Sequence, residues 1–186
     1  MRILFIIVIL FCQSSFAGPL ENIEKKVNAT TSWQSDFIQT TNGQAVEQGK
    51  LYVEKPGKLR FIYKNAPYTI YADGTNLIYY DENIDQPTYM EIDQTPAMLL
   101  LKDSLKFIDI GLIKKITTTE KNIQIEIDLP DGSLINLSFD AKSYFLNGWV
   151  IKDFQGNVIN VSLSNIKVDQ PINKGLFEFK RKRFLN

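Results

Sequence analysis

The sequence predicts a mainly β protein with a few helices: a strongly curved, unclosed antiparallel β-barrel of about ten or eleven strands. Two observations predict this fold. Short β-prone runs follow one another along the chain, and most are joined by tight-turn sequences such as Asp73-Gly74 and Asp131-Gly132. A sheet with that many strands must curl or close. Two or three apolar helical segments are available to cover the resulting hollow as a lid.

Residues 1–17 have the pattern of a secretory signal peptide and are not expected to belong to the fold. Arg2 supplies a positive start, an apolar run follows it, and Ser15-Phe16-Ala17 offers small residues for cleavage after the alanine. Cys12 raises the alternative of a lipid-modified cysteine, but a phenylalanine precedes it where such sites need a small residue. We therefore expect export and a single domain over residues 18–186.

Composition excludes several functions. Removing Arg2 leaves 20 basic and 21 acidic side chains, a net charge of −1, which argues against nucleic acid as a partner. The chain has no histidine, so Ser-His-Asp and Cys-His catalysis, His-ligated zinc and a histidine pH switch are excluded. The acidic cluster at Asp81, Glu82 and Asp85 lies in a predicted turn. We find no catalytic set and no phosphate-binding loop, and so predict neither an enzyme nor a cofactor.

The first third of the chain predicts one helix and three strands. The helix covers Leu20–Thr30, because Leu20, Ile23 and Val27 recur at helical spacing on one side. From Ser32 the period changes to two, which predicts a strand whose one face carries Trp33, Ser35, Phe37 and Gln39. Two more strands follow, Val46–Glu54 and Lys58–Lys64, and the second has Leu59, Phe61 and Tyr63 on one face.

The segment Tyr68–Asp81 predicts a hairpin with a two-residue turn at Asp73-Gly74. Because strand side chains alternate, one strand has Tyr68, Ile70 and Ala72 on one face and Thr69 and Tyr71 on the other. On the return strand Leu77 and Tyr79 share a face, and Ile78 and Tyr80 share the other. Both faces are apolar and aromatic. Such a hairpin must be covered on both sides, or must line a space that holds something apolar.

The rest of the chain predicts a short edge strand, an interrupted helix and five further strands. Proline suits an edge strand, so we place one at Pro87–Glu91. Thr95 as N-cap and Pro96 as first helical residue predict a very apolar helix that continues, broken, to Ile110. The five strands are Ile113–Thr119, Ile123–Leu129, Leu134–Phe139, Tyr144–Phe154 and Val158–Asn165. Phe177 and Phe179 are expected to dock, and the basic run at 180–183 predicts either a solvated tail or a contact with anionic lipid.

An ordered set of motifs resembles the periplasmic outer-membrane lipoprotein carrier family (LolA-type). After the signal peptide and first helix come Ser35-Asp36-Phe37-Ile38-Gln39, then the stretch from Gly49 to Asp81, which is the most specific part. That stretch contains Lys55-Pro56-Gly57-Lys58-Leu59-Arg60-Phe61 and Tyr71-x-Asp73-Gly74-x-x-Leu77-x-x-Tyr80-Asp81. Further matches are Gln86, Thr95-Pro96, Phe139-Asp140, Gly148-Trp149 and Asp153-x-Gln155-Gly156.

The resemblance implies a monomeric carrier without catalytic activity. Such proteins take acylated lipoproteins from an inner-membrane ABC transporter and hand them to an outer-membrane acceptor, shielding the acyl chains in an apolar cavity under a helical lid. By residue match, the cavity is expected to be lined by Leu59, Phe61, Tyr63, Phe37, Ile70 and Tyr79. The lid is expected to present Met98, Leu99 and Leu101, with Leu20, Ile23 and Val27 from the first helix.

One position departs from the family pattern. The family has an arginine before the proline that follows the second strand, and this arginine holds the lid through hydrogen bonds to backbone carbonyls. Here that position is Lys55, a point charge rather than a planar fork, so we expect a weaker or differently placed latch.

Two other readings remain open from the sequence. A lipid- or lipoprotein-sensing regulatory domain of the same fold is the main alternative, although such regulators usually carry a second domain and this chain is short for one. A hydrolase or isomerase with a barrel pocket is the third reading, and the absence of histidine from the chain, and of cysteine after the signal peptide, argues against it.

Overall fold

The computed structural model describes residues 17–179, and one eleven-stranded antiparallel sheet dominates them. The signal peptide and the basic run at 180–183 lie outside the described residues, apart from Ala17. The strands in chain order are β1 Ser32–Thr41, β2 Gln44–Glu54, β3 Lys58–Tyr63, β4 Tyr68–Asp73, β5 Asn76–Asp81, β6 Gln86–Glu91, β7 Leu112–Thr118, β8 Asn122–Asp128, β9 Leu134–Asp140, β10 Leu146–Lys152 and β11 Val158–Val168.

The sheet is unclosed, as the sequence predicts. Its spatial order is β6-β5-β4-β3-β2-β1-β11-β10-β9-β8-β7, so the only neighbours distant in sequence are β1 and β11. β6 and β7 are consecutive in the chain but lie at the two opposite edges of the sheet. The predicted edge strand with Pro87 is confirmed in β6, where a residue without an N–H does not interrupt the sheet.

The connection between the two edges forms the lid. We call residues 92–110 the lid segment; it contains a 3-10 turn at Ile92–Gln94, the helix α2 at Met98–Leu101 and a second 3-10 turn at Phe107–Asp109. The first helix, α1, covers Ala17–Ala29. A large apolar core lies between the concave face of the sheet and these elements, and Ile23, Phe37, Leu59 and Phe107 are almost completely buried in it.

The alternation predicted from the sequence is confirmed in most strands. In β8, Ile123, Ile125 and Ile127 are buried while Gln124 faces solvent. In β3 the buried positions are Leu59, Phe61 and Tyr63, whose side chains face inward. In these strands one face supplies the core and the other carries polar side chains, as antiparallel sheets permit.

Two local predictions were wrong. Thr95 is not the N-cap of a helix: its hydroxyl donates to the Ile92 carbonyl, and Ala97 occupies the N-cap position of α2. The helix has only four residues because Lys102 returns to an extended conformation, and the Leu101 carbonyl accepts from Gly57 N at 3.0 Å instead. Contacts with the β2–β3 turn thus override the local helix signal.

The hairpin turn is also shifted by one residue. Strands β4 and β5 are joined by Gly74-Thr75, and the Asp73 carboxylate accepts from the backbone N–H groups of Thr75 and Asn76 at 2.9 and 2.8 Å. Asp73 thus closes the turn through its side chain, a common use of aspartate in turns. Gly57 lies against Gly74, where a Cβ would come within 2.6 Å of the Gly74 Cα.

The outer face of the hairpin is covered by the end of the chain. Phe177 is buried in a 3-10 turn at Lys174–Phe177, and the Phe179 ring makes edge contacts with Tyr71 and Tyr80 at 5.4 and 5.2 Å. Arg60 donates to the Leu176 carbonyl at 2.9 Å and lies over the Tyr71 ring. The docking of Phe177 and Phe179 was predicted from the sequence, and the structure supplies its partner surface.

Candidate functional site

An apolar cavity of about 240 Å³ lies between the concave face of the sheet and the lid segment. The polar side chains in the cavity lining are Gln39 and Thr95, together with the indole of Trp149. The sheet contributes residues from both halves of the curved surface, and the lid segment covers one side of the cavity, which is partly open to solvent. The remaining lining residues are Leu59, Phe61, Ile70, Leu77, Pro96, Ala97, Leu99, Leu100, Ile135, Leu137, Trp149, Ile151, Ile159 and Val161.

Three of the six residues expected in the cavity line it: Leu59, Phe61 and Ile70. They are neighbours because Phe61 pairs with Ile70 across β3 and β4. The other three, Phe37, Tyr63 and Tyr79, lie on the same concave face but outside the cavity lining.

Packing explains why Phe37 lies outside the cavity lining. The Phe37 ring packs edge-on against Phe61 and Tyr63, with ring centroids 5.1 Å apart in each case. Its partner across β1 and β2 is Gly49, where a Cβ would come within 2.9 Å of the Phe37 ring. The absence of a side chain at Gly49 therefore makes room for that ring. Phe37 thus fills space beside the cavity that it was predicted to line.

The lid residues divide in the same way. Leu99, which was expected on the underside of the lid, lines the cavity, and so does its neighbour Leu100. Met98 instead lines an open groove toward Pro130 and Asp131, and the buried Leu101 packs near Gly57. Met98 and Leu101 are three residues apart and share one side of this single turn, whereas Leu99 and Leu100 occupy the side that lines the cavity.

The predicted face of α1 packs on the core rather than on the cavity. Ile23 is fully buried and Leu20 is partly buried against the core cluster. Val27 lines a second, much smaller apolar void of about 40 Å³ together with Trp33, Leu99 and Leu100. The two spaces share Leu99 and Leu100 of α2 and Leu137 of β9, so these side chains lie between them.

Lys55 contacts α1, the helix that in turn holds the lid segment. Its Nζ atom donates to the Val27 carbonyl at 2.7 Å, in the last turn of the helix, where a cation also interacts favourably with the helix dipole. Burial lowers the pKa of the Lys55 ammonium, and the nearby charge of Asp103 opposes this effect. Lys55 thus makes the kind of contact expected of the family arginine, a donor to a backbone carbonyl, with one hydrogen bond.

Polar side chains of α1 hold the lid segment directly. The Asn28 amide group accepts from Leu105 N at 2.7 Å and donates to the Leu105 carbonyl at 3.0 Å. The Glu24 carboxylate accepts from Phe107 N at 2.8 Å. Sequence reasoning missed Asn28 and Glu24 because both lie on the polar side of an amphipathic helix, where solvent exposure is the usual expectation.

The cavity residues from the second half of the sheet were also missed individually. Leu137, Trp149, Ile159 and Val161 occupy alternating positions of β9, β10 and β11, so the period-two pattern contained the signal. The pairing of β1 with β11 brings these strands opposite β3, which sequence spacing alone does not reveal.

Within residues 17–179, no helix has the length and hydrophobicity needed to span a membrane. The same part of the chain contains no group of three or more acidic side chains placed to hold a metal ion.

The geometry defines a class of protein: an open antiparallel half-barrel whose concave face and short helical lid enclose an apolar cavity. Residues 28–180 match the family model for outer membrane lipoprotein carrier protein LolA, and the chain belongs to that family. An outer-membrane lipoprotein carrier protein from Nitrosomonas europaea is 28% identical, over 96% of this chain and 94% of its own. One from Pseudoalteromonas translucida is 24% identical, over 95% and 90% of the two chains.

Solved structures of low sequence identity share the fold. An uncharacterized conserved protein from Thermus thermophilus has a TM-score of 0.56 at 12% identity, with 88% of this chain and 93% of that chain covered. A LolA superfamily protein from Nitrosomonas europaea has a TM-score of 0.50 at 11% identity, with 86% and 97% covered. The complex of MucA and MucB from Pseudomonas aeruginosa gives a TM-score of 0.52 at 10% identity, with 87% of this chain but 60% of that chain covered.

Proposed function

We propose that this protein is a periplasmic carrier of acylated lipoproteins, which shields their acyl chains in the cavity beneath the lid. It would receive them from an inner-membrane ABC transporter, act as a monomer without a cofactor or catalytic step, and deliver them to an outer-membrane acceptor. The apolar cavity between the concave sheet and the lid segment carries the proposal. Membership of the lipoprotein carrier family supports it.

The energetics of acyl chains explain why such a cavity is needed. Each methylene transferred out of water contributes about 0.8 kcal/mol, so even two long acyl chains would cost roughly 20 kcal/mol or more to expose. Acyl chains therefore cannot be released to diffuse through water, whereas direct transfer from one apolar site to another avoids that cost. The site must also release the chains, so its affinity must be moderate.

The cavity volume implies that the lid moves when ligand binds. About 240 Å³ is below the roughly 300 Å³ of the smallest pockets that hold drug-sized ligands. Long acyl chains therefore require a larger opening, and the lid segment is the element placed to provide it. It meets the β2–β3 turn through the hydrogen bond from Gly57 N and α1 through the contacts of Asn28 and Glu24.

The alternative is a sensing domain of the same fold. The matched chain in the complex of MucA and MucB shares the fold, and 60% of that chain is covered. The lipoprotein carrier from Nitrosomonas europaea is covered over 94% of its length. The match of residues 28–180 to the lipoprotein carrier family model favours the carrier.

The proposal is tested by photo-crosslinking in cells. A photoreactive amino acid at Phe61 or Leu100, both of which line the cavity, should capture lipoproteins that carry acyl chains. The matched control is Gln124, an exposed position on the outer face of β8. Capture from Gln124 alone would count against the carrier function.

A further inference from the structure

A polar network borders one end of the apolar cavity. It consists of Gln39, Glu47, Tyr63 and Tyr68, and we call it the tyrosine–glutamate network. Gln39, which lines the cavity, donates to the Glu47 carboxylate at 2.9 Å and accepts from the Tyr63 hydroxyl at 3.1 Å. The Tyr68 hydroxyl donates to the other oxygen of Glu47. Gln39 thus belongs both to the cavity wall and to the network.

The position of Glu47 is unusual for a charged side chain. Glu47 pairs with Gln39 across β2 and β1, two residues along from the Gly49–Phe37 pair, so it points to the same concave face as the core. It is half-buried. Charged groups placed on an apolar face carry a cost unless they are paired or hydrogen-bonded.

The Glu47 charge has no cationic partner within residues 17–179. Ion pairs within 4.0 Å occur elsewhere in that part of the chain, at Lys50–Asp36, Lys58–Glu54 and Lys114–Asp128. The donors that Glu47 does have, Gln39 and Tyr68, are neutral. A carboxylate has about four acceptor positions, so this one retains capacity for a further donor.

Three tyrosine rings add a second feature that favours a cation. Tyr68 lies between Tyr63 and Tyr79, with ring centroids 4.5 and 5.3 Å away. Burial raises the pKa of the Tyr79 hydroxyl, and the nearby negative charges of Asp81 and Glu47 raise it further. Aromatic faces near a carboxylate are the combination that recognises ammonium groups.

We propose that the tyrosine–glutamate network is the polar end of the ligand site and binds a primary ammonium group carried next to the acyl chains. This inference rests on the proposed function, since it assigns the polar group of a ligand whose chains occupy the cavity. Two sources share this chemistry: the free α-amino group of an acylated cysteine, and the ethanolamine headgroup of a phospholipid.

The first experiment compares two amphiphiles with one chain length, decylammonium and decan-1-ol, by calorimetric titration of the purified mature protein. Wild type should bind decylammonium about tenfold more tightly, the size expected of one hydrogen bond to a charged group. Glu47→Gln keeps the shape but removes the charge, and should weaken decylammonium binding until the two affinities lie within about twofold of each other. Glu126→Gln, the same change on the outer face of β8, should retain the full preference.

The outcomes separate the two proposals. Equal wild-type affinities, or a preference that survives in Glu47→Gln, would overturn the ammonium site and leave the carrier function standing. Failure of wild type to bind either amphiphile would overturn the carrier function, and the ammonium site with it.

A second experiment on wild type alone identifies the source and does not depend on how a variant folds. A diacylglyceryl-cysteine peptide with a free α-amino group is compared with its N-acetylated form, and lysophosphatidylethanolamine with lysophosphatidylcholine. Tighter binding of the free-amine peptide assigns the site to acylated cysteine, and tighter binding of lysophosphatidylethanolamine alone assigns it to lipid. No difference in either pair would overturn the inference.

Discussion

The two faces of the β4–β5 hairpin are both apolar, but they are covered in different ways. The outer face is covered by residues 174–179. Phe177 is buried there, the Phe179 ring contacts Tyr71 and Tyr80, and Arg60 donates a hydrogen bond to the Leu176 carbonyl. The inner face meets the lid segment, which leaves a cavity of about 240 Å³ between Ile70 and Leu99. From the sequence, a hairpin covered on both sides and a hairpin that lines an apolar space were alternatives. In the structure the outer face is covered and the inner face lines a cavity.

The difference shows how a protein separates a structural surface from a usable one. On the outer face, the Phe179 ring packs edge-on against Tyr71 and Tyr80, and these contacts are lost together if residues 174–179 leave the sheet. On the inner face the lid segment is attached by a few polar contacts, such as Gly57 N to Leu101 O and the Asn28 amide to the Leu105 backbone. Each hydrogen bond contributes only about 0.5–1.5 kcal/mol, so this cover can be displaced more easily.

The largest effect is expected from breaking the outer cover. Phe177→Ala removes a ring that is 6% exposed and should lower the free energy of unfolding by about 3 kcal/mol, from lost burial and the remaining void. Denaturant unfolding followed by fluorescence measures this. Phe154→Ala is the matched control, because Phe154 is 74% exposed and its loss should cost less than about 0.5 kcal/mol. Equal effects of the two changes would show that the outer cover is not structural.

The sheet was predictable because its signals are local. Alternation in β8, turn sequences and the proline of β6 each determine an element from adjacent residues, and an open antiparallel sheet follows from their number. The lid was less predictable. Thr95-Pro96 has the pattern of a helix start, yet α2 ends after one turn because its carbonyls meet Gly57, a contact between distant residues.

The next effect is expected from loosening the inner cover at Lys55. If ligand binds only when the lid is open, weakening the closed state raises apparent affinity by the same factor. Lys55→Leu removes the donor to the Val27 carbonyl, about 1–2 kcal/mol, and should tighten acyl-ligand binding about five- to thirtyfold. The mature variant should therefore retain lipoprotein and hand it on poorly in a transfer assay with an outer-membrane acceptor.

Two controls sharpen that prediction. Lys55→Arg restores a donor and should transfer as well as wild type or better. Lys50→Leu removes an exposed lysine whose ion pair with Asp36 lies on the outer face, and should transfer normally. Wild-type transfer by Lys55→Leu would show that Lys55 is a surface residue without a latch role.

The candidate site was only partly predictable, for a reason visible in its residues. Leu59, Phe61 and Ile70 face the cavity because alternation fixes their side of the sheet. Alternation does not distinguish a side chain that lines a space from one that fills it, so Phe37 was grouped with them although its ring packs against Gly49. That distinction depends on pairing across strands, which the sequence does not state.

The smallest effect concerns the polar end of the inner face. Burial raises the pKa of the Tyr63 hydroxyl above its ordinary value of 10.0, so the folded protein keeps a proton that the unfolded chain releases. The contribution of the Tyr63 hydroxyl to the free energy of unfolding is fully present below pH 10. It falls as the pH rises further, by at most about 1.4 kcal/mol per pH unit for one proton. Tyr63→Phe should therefore show a flatter decline in the free energy of unfolding between pH 10 and about 11.5. Tyr52→Phe, on the outer face of β2, should decline as wild type does, and parallel curves for all three proteins would show that Tyr63 is not shielded by the concave face.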